Sequence, residues 1–206
     1  MPIFTFFGVE KVDGEAIFQE KLVQAIALIR ENNSIVARDV LNTLDSSTLT
    51  IQSFYALSRQ HFMHIINDMS ALNIDVPTDY PPSKEAVRTI GQYLNGIIFN
   101  SQTIYINSNR SIEAIAQTII HEVTHFINDT LLDQEVHSEG FAKARYNDEL
   151  RAFIAQRVFE RNGSCLLRSD VKNIHAFVTE NYPEFADALD EPPHGYLFST
   201  YDRPRL

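Results

Sequence analysis

Cysteine occurs once in this 206-residue chain, at Cys165. A lone thiol closes no intrachain disulfide, and it excludes cysteine-rich zinc ribbons and two-cysteine redox motifs. In "NGSCLLRSD" it reads as a small buried or half-buried residue. Positive charge is also scarce: 17 basic against 27 acidic residues give a formal net charge of −10. A broad basic footprint is therefore missing, and no nucleic-acid partner is expected. The acidic balance reads as solvated surface and favours a basic or neutral substrate near any cleft. No apolar run approaches the roughly 18 residues of a membrane span, so no membrane insertion is expected. The opening "MPIFTFFGVEKVDGE" has neither a basic start nor a long apolar stretch, unlike a Sec signal. The expected location is the cytoplasm, or the outside by a route without such a signal. No internal repeat or low-complexity tract is visible.

What is present suits a packed core, since 44% of residues are hydrophobic. The expected fold class is α+β, mostly helical. Residues 3–9, with Phe4, Phe6 and Phe7, read as a short core strand. Helical periodicity follows over residues 15–30, with Phe18, Leu22, Ala25, Ile26 and Ile29 on one face. A second helix covers "IVARDVLNTL". One long helix is expected to reach Asn73, with a stripe of Leu49, Phe54, Leu57, His61, Ile65, Met69 and Leu72. His61 and His64 there read as core or surface histidines rather than ligands. Three prolines in "IDVPTDYPPS" mark the best internal boundary. The expected division is residues 1–73, a strand and helical part, and residues 74–206, the chemical part, with one compact domain as the alternative.

After the prolines, Ser83 caps a helix that stops before Gly96. "GIIFN" and "TIYIN", separated by "SQ", form a hairpin signal. Ser111 caps a strongly apolar helix over residues 112–128, with Ile112, Ile115, Ala116, Ile119, Ile120, Val123, Phe126 and Ile127 in its stripe. Residues 129–147 are polar and read as a loop. Helices over 148–161 and from Ser169 or Asp170 to about Tyr182 complete the reading, and the tail is irregular. His175 and His194 stand alone.

The apolar helix carries "HEVTH". His121 and His125 lie four apart, just over one turn, so both project from one face and can share one ion. Zinc takes imidazole nitrogen at about 2.0–2.1 Å and, in catalytic sites, keeps one position for water. Glu122 is turned by about 100° from His121. It stands beside such a metal rather than on it, where a carboxylate can take a proton from bound water. Two histidines and a glutamate late in an apolar helix are costly unless paired or ligating.

The run "TIYINSNRSIEAIAQTIIHEVTHFIND" resembles the core of the zincin metallopeptidases, a strand, a loop and a helix bearing H-E-x-x-H. The resemblance extends over residues 97–161, about a third of the chain. It implies a zincin-like core, one Zn²⁺ per chain, a third protein ligand and peptide-bond hydrolysis. The metzincin branch is rejected, because Asn128 and Leu131 stand where it has glycine and histidine. Gluzincins bring a glutamate from a later helix, commonly with a small residue one turn on. "NDELRAFIAQ" is similar, with Glu149 at 24 residues past His125 and then Ala152. The resemblance thus implies His121, His125 and Glu149 as ligands and Glu122 as the catalytic base. His137, Glu135, Glu139 and Asp148 are rival third ligands. Phe153 occupies the place where some gluzincins carry an acid that orients a zinc histidine, so Asp129, Asp133 or Asp148 would replace it. Thr124 stands where many of these peptidases have glycine. The oxyanion-stabilising residue stays open among Tyr146, His194, Tyr196 and Tyr201. An edge strand, residues 103–107 or 97–100, would align the substrate backbone.

The leading expectation is a zinc-dependent endopeptidase acting on a protein or peptide, similar to small toxin- or effector-like bacterial proteases. The alternative is a regulatory or protein-binding module on a zincin scaffold, with residues 15–73 contacting the partner. A purely structural helical protein with a chance motif is the third.

Overall fold

The computed structural model describes residues 13–100 and 102–182. The strand expected over residues 3–9 and the irregular tail lie outside them. Seven α-helices and three strands are described: α1 (Asp13–Glu31), α2 (Ile35–Ser46), β1 (Thr50–Ser53), α3 (Arg59–Ala71), α4 (Lys84–Tyr93), β2 (Gly96–Phe99), β3 (Thr103–Ile106), α5 (Ile112–Glu139), α6 (Phe141–Glu160) and α7 (Arg168–Asn181). The coarse class is α+β and mostly helical, with one small mixed sheet. None of the described helices is long and apolar enough to cross a membrane.

The sheet has the order β1-β3-β2. The expected hairpin is present, with Gly96 opposite Ile106 and Phe99 opposite Thr103. β1 pairs with β3 in parallel, Thr50 opposite Thr103. Successive side chains of a strand point to opposite faces. Ile104 and Ile106 therefore enter one apolar cluster with α1, α2, α5, α6 and α7, where Phe18, Leu22, Ile119 and Leu150 are also buried. Tyr105 enters a second cluster on the other face, with Phe54, Phe62, Ile65, Val87 and Ile90. The central strand is thus shared between two cores.

Two stretches differ from the sequence reading. The long helix ending at Asn73 is broken: residues 50–53 form β1, a 3-10 turn follows over Phe54–Ala56, and α3 starts after Ser58. Ser58 caps α3 by accepting the His61 N–H. β-branched Thr50 and Ile51 suit a strand, and pairing with a strand 53 residues away overrides the local helical period. Phe54 and Leu57 are still buried, but Leu72, placed in the stripe, is 71% exposed. His61 stacks on Phe99 with ring centroids 4.2 Å apart, and His64 faces Asp68 on the exposed side.

The second difference is larger. Residues 129–147 form no loop, because α5 runs on to Glu139 and α6 begins at Phe141. The break is Gly140 alone, at φ +90° and ψ 158°, a conformation that glycine adopts without penalty. Cys165 is exposed rather than half-buried.

The connection from β3 into α5 is tied down. Asn107 donates to the Gly91 carbonyl at 2.9 Å, and Lys21 Nζ donates to the carbonyls of Ser108 and Arg110, both at 2.9 Å. Ser111 caps α5 as expected, accepting the Ala114 N–H. Because Ile104 is fully buried in the central strand, Ile104→Ala is expected to lower unfolding free energy by about 2–5 kcal/mol. Urea denaturation checks this; a loss below about 1 kcal/mol would contradict its place in the core.

Candidate metal centre

The apolar stripe of α5 sets which way its polar residues face. Ile115, Ala116, Ile119, Ile120 and Val123 are fully buried, whereas Ile127, expected in the stripe, is 41% exposed. With the buried side chains inward, His121 and His125 turn together toward α6, and Glu122 turns toward the start of β2. α6 returns alongside α5, and its Ala144, Ala152 and Ala155 are fully buried. These small side chains allow close approach, and Glu149 then reaches both imidazoles.

The resulting group is compact. The Nε2 atoms of His121 and His125 are 3.1 Å apart. Glu149 Oε2 is 3.6 Å from His121 Nε2, and Glu149 Oε1 is 3.7 Å from His125 Nε2. One ligand atom from each of the three residues falls within 4.8 Å of the others. Two ligands at tetrahedral angles, each 2.0–2.1 Å from zinc, stand roughly 3.3 Å apart, so the spacing fits one small ion. Glu149 Oε2 is buried with no hydrogen-bond partner among the described residues. An ionised oxygen in that position calls for a cation. The residues present can hold a metal ion.

The two histidines are supported differently. His125 Nδ1–H donates to Asp148 Oδ2 at 2.7 Å, which leaves its Nε2 lone pair aimed at the centre. His121 has no such partner on Nδ1. Its ring instead meets Phe153 edge-on at 4.5 Å, and Phe153 meets Phe177 at 5.0 Å. Phe153 therefore packs against a histidine at the position where an orienting acid was sought, while Asp148 supplies an acid to the other histidine.

The electrostatics are those of a negative pocket. Burial disfavours protonated His125, but the hydrogen bond and charge of Asp148, with the charges of Glu149 and Glu122, outweigh it and raise the pKa to about 9. Burial also acts against ionised Glu149; His121, His125 and Arg145 outweigh that and hold its pKa below the usual glutamate value. Glu122 is shifted the other way, upward, chiefly by burial, with the two histidines opposing.

Glu122 lies close to the sheet. A Cβ built on Gly96 would strike Thr118 Cγ2 and come within 3.2 Å of Glu122 Oε1. The hairpin thus reaches the motif helix through the one residue type without a side chain.

The other candidates are placed elsewhere. His137 is exposed, with Nδ1 on the Asp133 carbonyl of its own helix at 2.6 Å. Glu135 is paired with Arg151 through two bonds of 2.8 and 3.0 Å. Asp129 and Asp133 are exposed. The Glu139 side chain, His194, Tyr196 and Tyr201 lie outside the described residues. Tyr146 is fully buried in the core, its hydroxyl 3.4 Å from Thr179 Oγ1 and its ring against His175. Tyr182, at the end of α7, was not anticipated. Its hydroxyl hydrogen-bonds to Glu149, and burial with the charges of Glu149 and Glu122 pushes its pKa up. It follows the last turn of a helix and belongs to no motif, so nothing local marked it.

No family model, curated protein or solved structure matches this chain.

Glu149→Ala is expected to abolish stoichiometric metal uptake, and His137→Ala to leave it at about one ion per chain. Elemental analysis of untagged protein checks both. Metal retained in Glu149→Ala and lost in His137→Ala would assign the third ligand wrongly.

Proposed function

We propose that this protein is a zinc-dependent endopeptidase with a gluzincin-like ligand set, His121, His125 and Glu149. The observation that carries the reading is Glu122. A catalytic metal site needs an ionisable group beside the ligands and not among them, and Glu122 is buried next to both histidines while staying out of the three-residue group. A metal that was purely structural would need no such neighbour.

Zinc held by these residues would supply Lewis acidity, acidifying water and polarising a peptide carbonyl. The chain's own residues do the rest. Glu122 takes the proton of the attacking water and returns it to the leaving amine, a shuttle helped by burial, which raises its affinity for the proton. Asp148 holds His125 in the tautomer that keeps Nε2 free. The Tyr182 hydroxyl, already at Glu149, donates to the carbonyl oxygen as it gains charge.

The substrate reading follows from sheet order. β3 has a neighbour on each side, so residues 103–107 have no free edge to offer. β2 is an end strand among the described residues, and a Cβ at its first residue would meet Glu122. An extended peptide added along Gly96–Phe99 would bring its backbone to the carboxylate.

Glu122→Gln is expected to keep its zinc and lose cleavage of a mixed-sequence quenched peptide library. Turnover at the wild-type rate would remove the proposal. Tyr182→Phe is expected to keep zinc and lower kcat on the order of 10²-fold; an unchanged kcat would take Tyr182 out of the mechanism.

A further inference from the structure

Asp148 is 1% exposed and has two carboxylate oxygens to satisfy. Oδ2 accepts from His125. Oδ1 has no hydrogen-bond partner among the described residues. The nearest cation to it is Arg151, one turn along α6, with a terminal nitrogen at 3.8 Å. That is too long for a hydrogen bond. Arg151 is held at this distance because both its terminal nitrogens are committed to Glu135, at 2.8 and 3.0 Å. Glu135 projects from the part of α5 beyond the motif, and both partners of the pair are buried.

We infer that Glu135 and Arg151 are positioning residues for the metal centre, acting on His125 through Asp148. This rests on the metal reading above. A guanidinium fork matches a carboxylate well and binds it in two places when free to do so. Glu135 occupies the fork and leaves Arg151 as a nearby charge that draws on Oδ1 without bonding to it. Oδ2 then belongs to His125. With Glu135 removed, Arg151 turns onto Asp148 and competes with His125 for the carboxylate. His125 loses the acceptor that fixes its Nδ1–H, and Nε2 is no longer held as the free lone pair. Arg145 does not take this part: its contact with Asp148 is also 3.8 Å, but its side chain is 37% exposed and shared with water.

Stability alone is a poor account of the pair. Apolar residues of similar volume at a buried ion pair are often as stabilising or more so. What apolar residues cannot do is hold a guanidinium short of Asp148.

The test is a double-mutant cycle on the full chain, in Glu135→Gln, Asp148→Ala and both together. Zinc affinity is read by competition with a chromophoric chelator. The His125 tautomer is read from its ring ¹⁵N shifts in metal-free protein in alkaline solution, where the ring carries a single proton. Glu135→Gln is expected to weaken zinc binding about tenfold and to move His125 away from the Nδ1–H tautomer. In the Asp148→Ala background the same change is expected to do nothing further. A purely structural role would instead lower affinity by the same factor in both backgrounds, and that result overturns the inference, as does wild-type affinity in Glu135→Gln. Should Glu135→Gln fail to fold, Glu135→Asp draws the carboxylate back from Arg151, loosens its hold on the fork and is expected to move zinc affinity and the tautomer in the same direction. Absence of zinc binding in the wild type, with the tautomer still shifting in Glu135→Gln, removes the metal reading and keeps the positioning. Zinc bound normally with an additive cycle removes the positioning and keeps the metal.

Discussion

The burial of one face of α5 is the constraint on which the site depends. Ile115, Ile119, Ile120 and Val123 are fully buried, each contributing roughly 1.5–3 kcal/mol relative to exposure. That sum exceeds the few kcal/mol that placing a carboxylate such as Glu122 against the sheet costs, even after discounting for a compact unfolded chain. The helix therefore does not rotate to free its glutamate. The same rotation points His121 and His125 at α6, where buried alanines let Glu149 come close. Packing decides the geometry, and the chemistry occupies what packing leaves.

Charge balance gives the site its character. Glu122, Asp148 and Glu149 surround two imidazoles, and all three carboxylates are buried. Without a metal, this surplus of negative charge draws a proton onto His125, which is why its pKa stands near 9 despite burial. A divalent cation would satisfy the same demand more fully and would release that proton, so metal affinity and pH are coupled here. The unpartnered Oε2 of Glu149 belongs to the same imbalance. It is an uncompensated buried oxygen only so long as nothing positive lies between it and the two histidines.

How much of this was legible in the sequence depended on the range of each interaction. Spacing along a helix is local, so His121, His125 and their shared face could be read from five residues. The caps at Ser83 and Ser111 and the hairpin were legible for the same reason. Glu149 came from a resemblance, and the structure brings it to the histidines because α5 and α6 are joined through one glycine. That joint was misread. Polar residues over 129–147 looked like a loop, yet Glu135 and Arg151 neutralise one another inside the structure. Periodicity counts apolar residues, and a buried ion pair is invisible to it. β1 was missed because its partner is β3, far along the chain. Tyr182 arrives by the folding of α7 over α6, 33 residues after the glutamate it touches.

Gly96 shows how closely the sheet and the motif are coupled. Thr118 turns its hydroxyl back to the Ala114 carbonyl at 2.9 Å, which leaves its methyl facing the strand. Gly96 lies against that methyl and against Glu122 at once. Any side chain there would have to push either the strand from the helix or the carboxylate from its place beside the histidines. The position of β2 and that of Glu122 are thus tied by one contact. Were a peptide to lie along β2, it would meet the carboxylate wherever that contact holds, because the strand and Glu122 are constrained by the same packing.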